Sequence, residues 1–134
     1  MEFRKNTEGF RKLIVWQKAQ QLSLLVYQFT TAFPQSEQFG VTKQIRTAAA
    51  SIAANIAEGS SQRTYKHQNH FYTIAKGSLH EVDNFAELTH NLHYLSNEQY
   101  KKLLEYINKT AFLLSKLINR SKSPTHQTQK TPQT

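Results

Sequence analysis

Three polar residues in the segment 43–59 have the spacing of a hydrogen-bonded cluster on one helix face. Ser51, Asn55 and Glu58 are separated by four and three residues, so their side chains would lie together on a helix. A lone carboxylate without a second acid, an activated nucleophile or a neighbouring histidine in the sequence gives no acid–base constellation. We therefore predict a structural polar cluster, with Arg46 as its ionic partner, and no enzymatic activity.

Histidines offer a second kind of chemistry, metal binding, but their spacing does not favour it. His67 and His70, and separately Glu87, His90 and His93, recur every three residues. Steps of three drift around a helix, and one helix alone does not bring together the three or four ligands of a transition-metal site. We predict no metal and no cofactor, and we expect the histidines in solvent or at an interface.

Basic side chains are the third chemical feature of the sequence. Seventeen Lys and Arg residues against nine Asp and Glu residues give a formal net charge of +8, and the isoelectric point is near 9.8. This balance favours a polyanionic partner, either nucleic acid or an acidic protein. Lys102, Lys109 and Lys116 also recur every seven residues and would line one outward helix face. The alternative is a solvated face that only keeps the protein soluble.

The segment 43–59 is the helix around which the chain is organised. Five alanines fall within residues 48–54, and they allow a neighbouring helix to approach closely. Ile45, Ile52 and Ile56 fall on one face of this helix together with Ala49. Gly59 is expected to end it.

Three further segments have helical periodicity, so the predicted fold class is all-α. The first covers 13–32 and is ended by Pro34, the second covers about 65–93, and the last follows a capping box formed by Ser96 and Gln99. The predicted core faces are Val15, Ala19, Leu22, Val26 and Phe29 in the first helix, Phe71, Ile74, Ser78, Val82, Phe85 and Leu92 in the third, and Tyr100, Leu104, Ile107, Ala111, Leu114 and Ile118 in the fourth.

The chain length of 134 residues suits one domain. We predict a basic N-terminal arm over 1–12, a four-helix bundle over 13–120 and a disordered tail over 121–134, because the tail has two prolines and no large apolar residue. The absence of cysteine fits a reducing compartment. No segment has the apolar length of a membrane span or the core of a signal peptide, so we expect a cytoplasmic protein.

Short connections between the helices predict an up-down-up-down antiparallel bundle. One end of such a bundle would collect the start of the first helix, the second connection and the end of the fourth helix. The basic residues expected near that end are Arg4, Lys5, Arg11, Lys12, Lys18, Arg63, Lys66, Lys116, Arg120 and Lys122. The candidate nucleic-acid-binding residues are Arg11, Lys12, Lys18, Arg63, Lys66, Lys109, Lys116 and Arg120.

The sequence SIAANIAEG at 51–59 resembles the signature of the 23S ribosomal RNA intervening-sequence protein family. VWQKA at 15–19 and IAKGSLHE at 74–81 resemble motifs of the first and third helices of that family. Ala53 stands where many relatives carry proline, so a kink at this point is not expected to carry over. The resemblance implies a four-helix bundle that assembles into a homo-oligomeric ring, a pentamer. A related branch is similar to the accessory variability proteins of diversity-generating retroelements, basic pentamers that bind a reverse transcriptase and nucleic acid.

The charge and the resemblance together favour a non-enzymatic, oligomeric nucleic-acid-binding or accessory protein. It would contact the phosphates of RNA or DNA with low sequence specificity. The alternative is a structural adaptor that binds a protein partner, such as a reverse transcriptase, through its basic surface. The sequence does not choose among RNA, DNA and a protein as the partner.

Overall fold

Four α-helices make up nearly all of the structure, a computed structural model that describes residues 9–120. They are α1 (Ile14–Thr30), α2 (Val41–Ser60), α3 (Tyr65–Asn91) and α4 (Asn97–Arg120), with short 3-10 turns at Gly9–Lys12 and Gln35–Glu37. No strand occurs within the described residues, which confirms the all-helical fold class. Residues 1–8 of the predicted arm and the whole predicted tail, 121–134, lie outside the described residues.

Each helix packs against two others around one hydrophobic core. Contacts join α1 to α2, α2 to α3, α3 to α4 and α4 back to α1, as expected of a four-helix bundle. The centre of the core is mainly apolar: Ala19, Leu22, Val26, Ile45 and Ile52 are 0 % exposed. Burial of this apolar surface is the main stabilising contribution.

The core face of α2 is confirmed as predicted. Ile45, Ala49, Ile52 and Ile56 are all 0 % exposed. The helix continues without interruption through the buried Ala53 to Ser60. Because alanine side chains add so little width, α2 makes its most extensive contact with α3.

Gly59 does not end α2, and this part of the prediction was wrong. The glycine lies inside the helix and is buried against α3. A Cβ atom at this position would lie 2.6 Å from Cε1 of Tyr72 and 3.1 Å from the carbonyl oxygen of Gln68. A glycine is needed here because the Tyr72 ring occupies the space that any side chain would fill.

The buried face of α3 is shifted from the predicted one. Ser78 and Val82 are buried as predicted, but Ile74 is 42 % exposed and Leu92 is 45 % exposed. Side-chain size was a poor guide to burial on this helix, because Ala75 and Ala86 are buried while the bulkier Ile74 is not. The residues of α3 that are buried are Tyr72, Ala75, Ser78, Leu79, Val82, Ala86 and Thr89.

The buried face of α4 is also rotated relative to the prediction. Ile107 and Leu114 are buried as expected, whereas Tyr100, Leu104 and Ile118 are only partly buried. The apolar stripe of α4 is wide, and several of the predicted core residues lie at one edge of that stripe. Its centre is formed by Leu103, Ile107, Thr110, Leu114 and Leu117.

Hydrogen bonds fix the helix ends. The predicted capping box is confirmed: the Ser96 N–H donates to Oε1 of Gln99 at 3.0 Å, and the Gln99 N–H donates to Oγ of Ser96 at 3.1 Å. The first helix ends at Thr30, before Pro34. At the connection between α1 and α2, the Glu37 carboxylate accepts the Tyr94 hydroxyl at 3.0 Å. This hydrogen bond raises the pKa of Tyr94 and ties the connection to the one between α3 and α4.

Replacing Gly59 with alanine should destabilise the protein, because the new methyl group would collide with the Tyr72 ring. We expect the free energy of unfolding to fall by about 1–3 kcal/mol, the usual cost of overpacking. Gly77 is the matched control, since it lies in α3 and a methyl group there would meet nothing within 4 Å. Gly77→Ala should stabilise by about 0.5–1 kcal/mol through helix propensity. Denaturant unfolding of both variants checks this, and equal stability of the two would contradict it.

Candidate functional site

A cleft of about 460 Å³ opens where four segments of the chain meet. Its basic residues are Lys12, from the turn before α1, and Arg120, the last residue of α4. Both were predicted to lie at one end of the bundle, and the structure places them on the same cleft. We call this cleft the end cleft, and its lining residues are Gly9, Phe10, Lys12, Leu13, Ala57, Ser60, Ser61, Gln68, Tyr72 and Arg120.

Two residues of α3, Tyr72 and Gln68, contribute polar side chains to the end cleft. Tyr72 is 1 % exposed. Burial raises the pKa of Tyr72, and the nearby positive charge of Arg120 offsets part of this rise. The Gln68 side chain donates through Nε2 to the carbonyl of Gln62 at 3.0 Å, while its Oε1 is enclosed and unpaired. Such atoms are uncommon in the interior of a folded protein.

A second basic feature lies along α1 and α4, where three lysines surround one aromatic ring. The ammonium nitrogens of Lys18, Lys102 and Lys109 lie 5.8, 5.4 and 5.3 Å from the centre of the Tyr106 ring. These distances are within the range of cation–π attraction. We call these four residues the Tyr106 cluster.

One carboxylate partly neutralises the Tyr106 cluster. Glu105 accepts a hydrogen bond from Lys109 at 2.9 Å and lies 3.9 Å from the Lys102 ammonium. The hydrogen bond from Lys109 and the charge of Lys102 lower the pKa of Glu105, and the same hydrogen bond raises the pKa of Lys109. Both shifts favour the charged forms of Glu105 and Lys109, and the Tyr106 cluster has three lysines to this one carboxylate.

The remaining predicted cations either contact a neighbouring aromatic ring or are exposed. Lys116 is one turn before Arg120, and its ammonium lies 5.4 Å from the ring of Phe112, which is 64 % exposed. The Arg11 guanidinium lies 4.5 Å from the centre of the Phe10 ring. Arg63, between α2 and α3, and Lys66, in the first turn of α3, are both exposed.

The eight predicted binding residues are divided among several sets of contacts. Lys12 and Arg120 share the end cleft, whereas Lys18 and Lys109 belong to the Tyr106 cluster. Lys18 was assigned to the basic end because it follows the start of α1. It lies more than one helical turn further along, which brings it level with Tyr106.

The predicted polar cluster separates into three sets of contacts. Ser51 and Asn55 do meet, because the Asn55 amide donates to Oγ of Ser51 at 2.9 Å, and Ser78 of α3 also donates to that oxygen at 2.9 Å. Glu58 instead accepts from Gln62 at 3.4 Å. The prediction that Glu58 joins the other two residues was wrong, because its side chain is exposed near the end of α2.

The contacts of Arg46 form the third set, and its partners lie on α1. Its Nε donates to Oγ1 of Thr30 at 2.8 Å, and its Nη2 donates to the carbonyl oxygen of Tyr27 at 3.3 Å. The guanidinium also lies 4.9 Å from the centre of the Tyr27 ring. Arg46 therefore satisfies the carboxyl end of α1, where positive charge is favourable, and it does not pair with Glu58.

The histidines make ordinary polar and aromatic contacts. Nε2 of His90 lies 2.7 Å from Oδ1 of Asn97, and its ring stacks on Tyr100 at a centroid distance of 4.2 Å. His70 packs edge-on against Phe71. Over residues 9–120, no group of three or more His, Asp or Glu side chains is arranged to hold a metal ion.

Sequence reasoning missed the aromatic residues that accompany the cations. Tyr106 and Phe112 fall between the lysines of α4 that recur every seven residues, four residues after Lys102 and four before Lys116. This spacing places rings and ammonium groups on one stripe, so the pattern was visible in the sequence. The contribution of Tyr72 and Gln68 to the end cleft depends on the packing of α3 against Gly59, and no local sequence signal reveals it.

The fold and its cationic surface define a small, basic, all-helical protein. The family model for the 23S rRNA-intervening sequence protein matches residues 11–116, so the chain belongs to this family. This finding confirms the family resemblance. No curated protein matches the sequence.

A solved structure supports the same fold. It is a protein of unknown function from the S23 ribosomal protein family of Bacteroides thetaiotaomicron, which superposes with a TM-score of 0.71 at 24 % sequence identity. The match covers 78 % of this chain and 98 % of the other. No helix among residues 9–120 is long and apolar enough to cross a membrane.

Replacing Arg46 with alanine should destabilise the protein, because Thr30 and the end of α1 would lose a charged donor. We expect a loss of about 1–3 kcal/mol, the range for hydrogen bonds to charged groups. Lys43 is the control, since it is an exposed cation one turn earlier on α2. Lys43→Ala should change the free energy of unfolding by less than about 0.5 kcal/mol. Thermal melts of both variants measure the two losses of stability. Equal losses would mean that the effect comes from removing a positive charge and not from the contacts of Arg46 with α1.

Proposed function

We propose that this protein is a non-enzymatic, oligomeric nucleic-acid-binding or accessory protein of the cytoplasm. It contacts the phosphates of RNA or DNA with low sequence specificity. The observation that carries the proposal is the run of cations from the end cleft along α4, where Arg120 and Lys116 lead to the Tyr106 cluster. Such a run provides many charge contacts to a phosphate backbone, each of which releases counterions.

The aromatic rings on this surface fit the same role. Tyr106 and Phe112 lie within 6 Å of lysine ammonium groups, as measured from the ring centres. Proteins that bind single strands without sequence preference combine a basic track with rings on which bases stack. Phosphate contacts remain the dominant contribution in this proposal, because the cations outnumber the exposed rings.

The arrangement of subunits is part of the proposal. The helices run up-down-up-down, and copies of the chain assemble into a homo-oligomeric ring of five, as the family resemblance implies. Contacts of Arg46 with Thr30 and of Gly59 with Tyr72 support antiparallel neighbours, because each joins the end of one helix to the early part of the next. A ring would multiply the basic surface and raise the apparent affinity through avidity.

An exposed groove offers a surface for such an assembly. It has a volume of about 410 Å³, lies between α1 and α2, and is lined by apolar and small residues. Leu24 is 63 % exposed at this groove, and Ala50 and Ala54 are also exposed. Small side chains let another helix approach closely, which suits a contact between copies.

Native mass spectrometry should find the full chain as a homo-oligomer, with five subunits as the expected number. Leu24→Glu should shift the population toward monomer, because a charge would be placed in the apolar groove. Gln28→Glu, on the exposed side of the same helix, is the control and should leave the assembly intact. A wild-type protein that stays monomeric at micromolar concentration would contradict the ring.

A second candidate is a structural adaptor that binds a protein partner, such as a reverse transcriptase. It is favoured by Phe39, which is 83 % exposed beside a groove of about 470 Å³ between α2 and α3. An exposed aromatic residue at a groove is a common feature of protein-binding surfaces.

Reversing three charges near the basic end should abolish binding to RNA or DNA at moderate salt. The variant is Lys12→Glu, Lys66→Glu and Lys116→Glu, and it removes phosphate contacts from three chain segments. All three lysines are exposed, so the protein should stay folded and assembled. Fluorescence anisotropy with a labelled single strand measures the affinity and its salt dependence.

The matched control reverses Lys43, Lys76 and Lys101, which are equally exposed and change the net charge by the same amount. The proposal expects the control to bind much more strongly than the first variant. Equal weakening would mean that only the net charge matters. If the wild type binds no nucleic acid, the adaptor function takes its place.

A further inference from the structure

The end cleft has the size of a site for one small molecule. Its volume of about 460 Å³ lies within the range of roughly 300–1,000 Å³ that ligand pockets occupy. A single nucleotide fits such a volume, whereas a duplex does not. The lining comes from the turn before α1 and from α2, α3 and α4, so the cleft is formed by the tertiary fold.

The positive charge of the cleft favours an anionic ligand. Lys12 and Arg120 are its charged lining residues, and neither Asp nor Glu is among the described residues that line it. A lysine and an arginine on one cleft suit a phosphate group, which accepts hydrogen bonds from both. No carboxylate among the described lining residues would repel a phosphate.

The polar side chains of Tyr72 and Gln68 on the cleft indicate where a ligand would bind. Because burial raises its pKa, the Tyr72 hydroxyl stays protonated at neutral pH and can donate to a phosphate oxygen. The enclosed Oε1 of Gln68 has no partner among the described residues and can accept an N–H or O–H from a base or sugar after a small rotation. Phe10 and Leu13 supply an apolar wall for the rest of the ligand.

We propose that the end cleft binds one nucleoside phosphate, held by Lys12, Arg120 and the Tyr72 hydroxyl. The same chemistry is present in a free mononucleotide and in the phosphorylated 5′ end of a single strand. The inference rests on the proposed function in one respect, since a strand on the α4 surface would place its end in this cleft. In that case the cleft distinguishes a strand end from the interior of a strand.

Calorimetric titration of the full chain with AMP and with adenosine tests the cleft directly. AMP should bind at least about tenfold more tightly, because adenosine lacks the phosphate. Tyr72→Phe keeps the ring against Gly59 and removes only the hydroxyl, and it should weaken AMP binding by about tenfold. Tyr27→Phe is the control, since Tyr27 lies near the carboxyl end of α1 and does not line the cleft. This control should bind AMP as the wild type does.

Two oligonucleotides of one sequence, with and without a 5′ phosphate, separate the possible sources of the ligand. Tighter binding of the phosphorylated strand, lost in Tyr72→Phe, identifies a strand end. Equal binding of the two strands, with AMP still bound, identifies a free nucleotide.

The outcomes also separate this inference from the proposed function. If both strands bind alike and AMP does not bind, the cleft inference is overturned and the proposed function stands. If AMP binds and no strand does, the cleft stands and the proposed function falls. Equal affinity of the wild type and Tyr72→Phe for AMP would remove the hydroxyl from the site, and a protein that binds neither AMP nor a strand would overturn both.

Discussion

The close approach of α2 and α3 is the constraint on which the rest of the structure depends. Gly59 leaves room for the Tyr72 ring, and Ser51 and Ser78 meet across the same interface at 2.9 Å. Small residues make this approach possible, and the hydrogen bond fixes the register of the two helices. With the Tyr72 ring held against Gly59 near the end of α2, Tyr72 and Gln68 line the end cleft.

This packing also determines where the basic side chains come together. Because the end of α4 lies beside the start of α3, Arg120 comes close enough to Tyr72 to affect its pKa. Lys12 reaches the same cleft from the turn before α1, and α4 carries Lys116 and Lys109 away from it along one stripe. The far end differs, since Glu37 and Tyr94 join the two connections there. The described residues therefore carry a basic surface that begins at the end cleft and continues along α4.

The sequence predicted what local periodicity determines. The four helices, the core face of α2 and the capping box at Ser96 follow from residue spacing, and the family follows from the motif at 51–59. What it did not predict depends on contacts between helices. Arg46 was expected beside Glu58, but its partners lie on α1. The predicted face of α3 included Ile74, which is exposed, and omitted Tyr72 and Leu79, which are buried, because burial there depends on the packing of α3 against its neighbours.

Binding through phosphates is the central claim, and the salt dependence of single-strand affinity tests it most directly. A wild-type titration between about 50 and 200 mM salt should give a straight line of log affinity against log salt concentration. Several phosphate contacts per protomer predict a slope of about −3 or steeper, because each contact to a single strand contributes about −0.7. An affinity that stays constant over this range would contradict the claim, since no phosphate contacts would then be releasing counterions.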